Sequence, residues 1–264
     1  MLIIGERINS SRKSIANAIA AADAAFIENE AMAQTKAGAD YIDVNAGSFV
    51  GVESEKLKWV IEVVQKATDT PLCIDSPDPR VMSAMLPLVR KTPMINSITL
   101  AHERLEKILP IVSEYKTKVI GLCQSGETMA ESVDEKLRMA ESLVAKVTAM
   151  GIPIGDLYVD PLVYPLSANT QSATETLKAI DRIMKEFPGV HTTCGLSNVS
   201  HGLPSRKLIN RTFLTAAIMA GLDSAIMDPT DRSLYGAMKA ALTVSGRDDF
   251  CMGLITAFRQ GRLE

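Results

Sequence analysis

Short apolar runs alternate with longer segments of helical periodicity along the whole chain, and this alternation constrains the fold more than any other feature. The runs are three or four residues long and lack the strict apolar–polar alternation of strands with one face in water, which is typical of parallel strands buried on both faces. They cover residues 2–4, 41–44, 72–74, 93–95, 119–122, 157–159, 191–194 and 224–227. The pattern predicts eight parallel strands.

The segments between these runs have recognisable helix boundaries. Ser132 and Glu135 have the spacing of a capping box, in which each residue satisfies a free backbone amide of the other at a helix start. Apolar residues such as Leu137 and Ala140 follow at helical spacing, and Gly151 is placed to end the helix. Comparable patterns predict helices over residues 24–37, 53–67, 78–90, 102–115, 170–187, 204–220, 231–243 and 249–260.

Eight strand–helix units in 264 residues match the size and order of a (β/α)8 barrel of the TIM type. The alternative is an open, doubly wound sheet, but the glycine fingerprint that binds phosphate after the first strand of such folds is missing. No charge run, linker or change of composition marks a boundary. We therefore expect a single α/β domain over residues 1–264.

The charge balance argues against nucleic acid as a partner. Lys and Arg number 28 and Asp and Glu number 31, for a formal charge of −3, whereas phosphate binding relies on clustered basic residues. The start of the chain lacks the apolar run of a signal peptide, and no stretch approaches the roughly 20 apolar residues of a membrane span. We expect a cytoplasmic protein with no membrane contact.

The four cysteines are far apart and form no CxxC pair. Widely spaced cysteines in a chain that is not secreted are most often reduced core residues, so we expect no thiolate metal site. They are Cys73, Cys123, Cys194 and Cys251.

Every predicted strand leads into a carboxylate or a carboxamide. In a barrel, the residues that follow the strands converge at one face, where active sites lie. Asp and Asn are also common in loops and helix caps, so each position taken alone has a structural alternative. In chain order these residues are Glu6, Asp43 with Asn45, Asp75, Asn96, Gln124, Asp160, Asn198 and Asp228.

Asp75 and Asp160 stand out because each directly follows an apolar run, in LCID and LYVD. A cup of carboxylates and carboxamides, with Arg7 as almost the only cation at the strand ends, suits a neutral heterocycle rich in N–H donors. A divalent metal is the alternative occupant, and spacing alone does not separate the two. The histidines (His102, His191 and His201) have no Ser or Cys partner at the strand ends, so nucleophilic hydrolysis is disfavoured.

Seven segments resemble a known family in order along essentially the whole chain. They are MLIIGERIN, AGADYIDVNAG, PLCIDS, MINS, DLYVDPL, GLSNVSHGLP and LINRTF. They resemble the pterin-binding methyltransferases, and among these the methyltetrahydrofolate:corrinoid protein methyltransferases. The resemblance implies a (β/α)8 barrel that forms a homodimer and binds the pterin in the barrel mouth.

The resemblance also implies roles for individual residues. Asp75, Asn96 and Asp160 would bind the pyrimidine part of the pterin, and Asn198 would hydrogen-bond near the ring nitrogen that carries the methyl group. The other matching positions would shape the pocket or contact the folate, and they are Gly195, Ser197, Arg206, Asp43 and Asn45.

The implied reaction moves a methyl group between N5 of methyltetrahydrofolate and cob(I)alamin. The chain lacks the D-x-H-x-x-G signature of cobalamin-binding proteins, so we expect a separate corrinoid protein to present that cofactor. An amine is a poor leaving group and must be protonated or strongly hydrogen-bonded as the bond breaks. Our hypothesis is that Asn198 orients and stabilises the nitrogen, while the proton arrives through water held by the acidic cup.

Other readings stay open. A dihydropteroate-synthase-like enzyme is one, although NAGSFV stands where those enzymes carry a Thr-Arg-Pro loop after the second strand. Methionine synthase is disfavoured because the paired cysteines of a zinc thiolate site are absent. A folate-binding module without catalysis is the alternative outside the enzymes. The partner protein, the pathway (acetogenic carbon fixation or O- or N-demethylation) and the direction of transfer are not determined by the sequence.

Overall fold

The computed structural model describes residues 1–126 and 128–263, and eight parallel strands form the wall of a (β/α)8 barrel. The first seven strands pair in chain order, each with the next, and the last strand pairs with the first. The strands are β1 (Leu2–Asn9), β2 (Tyr41–Asn45), β3 (Leu72–Asp75), β4 (Met94–Ile98), β5 (Lys118–Leu122), β6 (Leu157–Asp160), β7 (His191–Thr192) and β8 (Ser224–Met227). The predicted fold class is confirmed.

The barrel closes between β7 and β8 through a short seam. The Ile226 amide donates to the Cys194 carbonyl at 2.9 Å, and Ser224 Oγ donates to the Thr192 carbonyl at 3.0 Å. The predicted strand over 191–194 is shorter in the structure because the chain turns after Cys194 into a 3₁₀ helix, Leu196–Ser200. This early turn brings the segment around Asn198 over the barrel mouth.

Ten α-helices of the described residues surround the strands. They are α1 (Lys13–Ala20), α2 (Ala24–Lys36), α3 (Glu53–Ala67), α4 (Pro79–Met85), α5 (His102–Tyr115), α6 (Val133–Ala149), α7 (Ser172–Glu186), α8 (Arg206–Met219), α9 (Arg232–Val244) and α10 (Met252–Arg259). The capping box of α6 is present in both directions between Ser132 and Glu135, as its spacing predicts. None of these helices is long and apolar enough to cross a membrane.

Two elements depart from the predicted helices, and one short hairpin was not predicted. The helix expected over 78–90 ends as an α-helix at Met85, because Pro87 lacks an N–H and its ring clashes with the preceding turn. Helix α1 was missed, although Ile15, Ala18 and Ile19 form its buried face. The hairpin pairs Gln124–Ser125 with Thr128–Met129 above β5.

Inside the barrel, an apolar layer lies beneath a polar one. Side chains two positions apart on a strand point to the same face, so inward-facing apolar residues are followed by inward-facing polar ones. Cys73 precedes Asp75 on β3 in this way, and Tyr158 precedes Asp160 on β6. The apolar layer consists of Ile4, Cys73, Met94, Ile120 and Tyr158. It fills the barrel interior beneath the polar layer.

The cysteines are free. Cys73, Cys123 and Cys194 are buried, as expected of core residues, whereas Cys251 is exposed.

Candidate active site

A cavity of about 690 Å³ opens at the C-terminal ends of the strands. It brings together seven of the nine residues that the sequence singled out, on β2, β3, β4 and the segment after β7. These are Asp43, Asp75, Asn96, Gly195, Ser197, Asn198 and Arg206. The remaining two do not line this cavity but hydrogen-bond residues that do. Asn45 donates to Asp75, and Asp160 accepts from the Gly195 amide.

Carboxylates and carboxamides of β2, β3 and β4 pair with one another on one side of the cavity. The register of the barrel sets Asn45 opposite Asp75, and Asp75 opposite Asn96. Asn45 Nδ2 donates to Asp75 Oδ2 at 2.9 Å, and Asn96 Nδ2 donates to Asp43 Oδ1 at 3.1 Å. Each amide orients an acid while its own oxygen, or the second acid oxygen, stays available for a ligand.

Burial changes the acidity of this pair. Desolvation raises the pKa of Asp75 to about 6, against the hydrogen bond from Asn45, which lowers it. The pKa of Asp43 is raised well above its ordinary value, by desolvation first and by the neighbouring charge of Asp75 second. The cup therefore binds protons at a pH where free aspartates are ionised.

Asp160 ends β6 and lies just below the cavity, 5% exposed. Its Oδ1 accepts from the Leu162 amide at 2.8 Å, and the amide of Gly195, a cavity residue, also donates to it. Desolvation raises the pKa of Asp160 to about 6. The carboxylate is thus buried among backbone donors beneath the mouth.

The segment after β7 forms the opposite wall. Ser197 Oγ donates to both oxygens of Glu6, at 2.8 and 2.9 Å, and Arg206 at the start of α8 donates to the Ser197 carbonyl at 2.9 Å. Asn198 is exposed to the cavity and folds over Gly195. A Cβ on Gly195 would lie 2.9 Å from Asn198 Nδ2, so glycine is needed for this position of the amide.

Glu6 is a cavity residue whose position in β1 differs from the expected one. The expectation that it ends the first strand is wrong, because β1 continues to Asn9. The register of β1 against β2 shifts between Gly5 and Ile8, which places a bulge at Glu6 and Arg7. Burial raises the pKa of Glu6, and its hydrogen bond from Ser197 opposes that shift.

The rim of the cavity is more basic than the strand ends predict. Arg12, from the missed α1 region, lines the cavity together with Arg206 and Lys207 of α8. Arg7, by contrast, is engaged away from the cavity centre: its guanidinium bonds Glu30 at 2.6 Å and Asp228 at 2.9 Å. Two of the rim cations pair with acids of the same cavity: Arg12 lies 3.9 Å from Glu6, and Lys207 lies 3.4 Å from Asp231.

A second lobe of about 770 Å³ joins the first through Asn9, Ser11 and Asp75. Serine, threonine and carboxamide side chains line it, including Asn45.

Arg104 of α5 lies at the edge of this lobe and holds the ends of two strands. Its guanidinium donates to the carbonyls of Ser97 and Ser76, both at 2.9 Å, and to that of Pro77. One planar group therefore ties the turn that follows Asp75 to the part of β4 that follows Asn96.

Sequence reasoning missed Asn9, Arg12, Lys207 and Asn210 as cavity residues. The helical spacing of Ile15, Ala18 and Ile19 is a signal that could have placed α1, and with it Arg12, beside the mouth.

Of the histidines, only His201 lines the cavity. His102 begins α5 on the surface, and His191 in β7 contacts Asp223 at 2.5 Å. No group of three or more His, Cys, Asp or Glu side chains is arranged to hold a metal ion within residues 1–126 and 128–263.

An acid-and-amide cup at the mouth of a (β/α)8 barrel suits a ligand that is rich in hydrogen-bond donors. Residues 5–228 match the family model described as pterin binding enzyme, and the chain belongs to this family. It is 37% identical to the methylcorrinoid:tetrahydrofolate methyltransferase of Eubacterium limosum, over all of this chain and 98% of that protein. It is also 30% identical to the methionine synthase of Mycobacterium tuberculosis, over 86% of this chain but only 20% of that longer protein.

Solved structures share the fold. The dihydropteroate synthase of Xanthomonas albilineans in complex with 7,8-dihydropteroate superposes with a TM-score of 0.70, at 21% identity, over 92% of this chain and 91% of that one. The synthase of Coxiella burnetii in complex with pteroic acid also gives 0.70, at 18% identity, over 93% of each chain. At these identities the likeness concerns the barrel fold.

Proposed function

We propose that this protein is a methyltransferase that moves a methyl group between N5 of methyltetrahydrofolate and the cobalt of a corrinoid carried by a separate protein. The observation that carries the proposal is one cavity with a buried acid-and-amide floor on one side and the exposed amide of Asn198 on the other. The full-length likeness to a methylcorrinoid:tetrahydrofolate methyltransferase supports the same chemistry.

The floor suits the pyrimidine edge of a pterin. That edge presents a ring N–H and an exocyclic amine side by side, and a carboxylate accepts two such parallel hydrogen bonds. In this proposal Asp75 and Asn96 bind the pyrimidine edge. Asn45 and Asp43 orient these two side chains through their hydrogen bonds, and Asp160 accepts a further hydrogen bond from the pterin. With little aromatic surface in the chain, hydrogen bonds rather than stacking carry recognition.

The opposite wall suits the reacting nitrogen. Asn198 offers both a donor and an acceptor, so its amide can hydrogen-bond the tertiary amine or its protonated form. It holds no transferable proton. Glu6 accepts a hydrogen bond from Ser197, the residue before Asn198, and burial raises the pKa of Glu6. It is therefore the acid that would hold the proton that N5 needs.

The basic rim suits the rest of the substrate. Folate carries an anionic glutamate tail, and Arg12, Arg206 and Lys207 lie around the entrance. The second lobe, lined mainly by serine, threonine and carboxamide side chains, leaves the mouth open on the other side, where a corrinoid protein would have room to approach.

As the family resemblance implies, the chain would act as one pterin-binding domain over residues 1–264, as a homodimer in the cytoplasm, with no metal of its own. The physiological corrinoid protein would decide whether the methyl group enters carbon fixation or comes from demethylation.

The test uses the purified chain with methyltetrahydrofolate and free cob(I)alamin, followed by the absorbance of methylcobalamin. A methyltransferase forms methylcobalamin, a folate-binding module binds folate without forming it, and a metal-dependent enzyme loses activity with a chelator.

Asn198→Ala should lower the rate of transfer about 100-fold, because removing a donor aimed at developing charge costs about that much. Asn17→Ala, at an exposed position of α1, is the matched control.

Folate affinity, measured by calorimetry, should change less than tenfold in Asn198→Ala. Unchanged affinity and unchanged rate together would contradict the role of Asn198.

A further inference from the structure

Lys136 on α6 is a charged side chain that is fully buried, with 0% of its surface exposed. Burying an ammonium group is costly unless hydrogen bonds or an opposite charge compensate for lost water. The catalytic scheme above gives this residue no part. Its partners therefore indicate what the charge is retained for.

The partners belong to the turn after β6. Lys136 Nζ donates to the Pro161 carbonyl and, at 2.7 Å, to the Leu162 carbonyl. The ammonium also lies 5.2 Å from the ring centre of Tyr164, a cation–π distance. All three groups lie within four residues of Asp160, at its C-terminal side.

This turn has an unusual backbone that determines where the Asp160 carboxylate points. Leu162 has φ of +59°, a left-handed conformation that non-glycine residues rarely adopt. In this conformation the Leu162 amide turns back to donate to Asp160 Oδ1 at 2.8 Å, while its carbonyl faces Lys136. Leu162 therefore links the two side chains: its carbonyl accepts from Lys136, and its amide donates to the Asp160 carboxylate.

Among the groups around Asp160, Lys136 is the cation that changes the pKa of its carboxyl group. The lysine lowers the pKa of Asp160 and opposes the larger effect of burial. Burial raises the pKa of Cys123 to about 12, the pKa of Tyr164 to about 12, and the pKa of Cys194 well above its ordinary value. These three groups stay neutral between pH 5 and pH 9. The acids that act on Lys136 from neighbouring segments are Glu131 and Glu175.

We propose that Lys136 is a positioning residue: it fixes the turn after β6 so that Asp160 is aimed at the pterin, and it places a positive charge beside that carboxylate. The inference rests on the proposed function, since it assigns Asp160 to pterin binding. A lysine that only filled space in the core would hold the turn but would leave the proton affinity of Asp160 unaffected.

The experiment measures methyltetrahydrofolate binding by calorimetry between pH 5 and pH 9 for the wild type, Lys136→Met and Lys136→Gln. Lys146→Met, an exposed position on the same helix, is the control. Wild-type binding should weaken as pH falls through about 6, where Asp160 and Asp75 take up protons. In a folded Lys136 variant the midpoint should move up by at least about half a pH unit, because a neighbouring opposite charge has been removed.

Two results would overturn the inference: a folded Lys136 variant with the wild-type midpoint, or a loss of affinity that is equal at every pH. A second measurement needs no variant. NMR of the lysine side chains in the wild-type protein should show the Lys136 Nζ resonance moving with the same midpoint as the Asp160 carboxyl carbon. A Lys136 resonance that does not respond to the titration of Asp160 would also overturn it.

Failure of the proposed function has a different signature. A chain that is not a pterin-binding protein would not bind methyltetrahydrofolate at any pH, and a folate-binding module would bind it without forming methylcobalamin. In both cases the NMR coupling between Lys136 and Asp160 would still be measured.

Discussion

At the scale of single residues, the mouth of this barrel separates the task of holding a proton from that of orienting a ligand. Asn45, Asn96 and Asn198 are amides that orient, whereas Glu6 is buried enough for its pKa to rise. The Ser197 hydroxyl donates to both oxygens of Glu6 and keeps it beside the loop that carries Asn198. Under the proposed function, proton supply and nitrogen recognition would therefore take place at one wall.

Glu6→Gln tests this division. Glutamine keeps an acceptor for Ser197 but holds no transferable proton, so transfer from methyltetrahydrofolate should fall about 10- to 100-fold, within the range of general acid catalysis. The wild-type rate should also fall as pH rises through the pKa of Glu6, and the variant should lose that dependence. Stopped-flow formation of methylcobalamin against pH measures both effects. Glu141→Gln, exposed on α6, is the control, and a variant that keeps the wild-type pH profile would refute the role.

At the scale of elements, the helices stabilise the site from outside the barrel. Strand ends in a barrel are followed by turns whose carbonyls need donors, and here α5 and α6 supply them. Arg104 donates to two carbonyls after β3 and to the Ser97 carbonyl near the end of β4, and Lys136 donates to two carbonyls after β6. The positions of Asp75, Asn96 and Asp160 thus depend on helices that do not themselves enter the cup.

Arg104→Lys tests this dependence at α5. Lysine keeps the positive charge but lacks the planar fork that reaches three carbonyls at once, so it can satisfy fewer of them. We expect folate affinity to fall about tenfold, because Asp75 and Asn96 lose the side chain that holds the backbone beside both of them. Calorimetry measures the effect, with Arg138→Lys on the exposed side of α6 as the matched control. Wild-type affinity in folded Arg104→Lys would show that the strand ends hold their own geometry.

At the scale of the whole molecule, the buried acids of the site lower the stability of the fold near neutral pH. The pKa values of Asp75 and Asp160 are raised from 3.8 to about 6, so the folded state binds their protons more tightly than the unfolded chain does. The free energy of unfolding contributed by these groups is highest below pH 4 and decreases as pH rises to about 6. A pterin that donates hydrogen bonds to the ionised acids would compensate for this loss.

Asp160→Asn should therefore stabilise the empty protein above pH 6 while weakening folate binding. A pKa raised from 3.8 to about 6 corresponds to a cost of order 3 kcal/mol once the group is ionised, and asparagine avoids it. Urea unfolding at pH 4.5 and pH 8 measures the difference between variant and wild type, which should appear mainly at pH 8. Asp69→Asn, an exposed position, should show no such gain. Equal stability differences at both pH values would contradict the mechanism.

Much of the site was readable along the chain because burial is local to each strand. The apolar runs LCID and LYVD carry Asp75 and Asp160 to the strand ends whatever the rest of the barrel does. Glu6 shows the limit of this reasoning: the bulge in β1 and the extension of the strand to Asn9 depend on pairing with β2. Arg12 was missed with α1, whose eight residues give only one short group of apolar positions at helical spacing.

The sequence by itself determined the alternation of strands and helices, the eight-unit barrel and the set of acids and amides at its mouth, because these follow from local periodicity and from the residues that end each strand. Only the tertiary structure decided which amide orients which acid, how far burial raises each pKa, and that Lys136 faces a turn 25 residues further along the chain. Those properties arise from register, desolvation and contacts between distant segments, which come into existence only when the barrel closes.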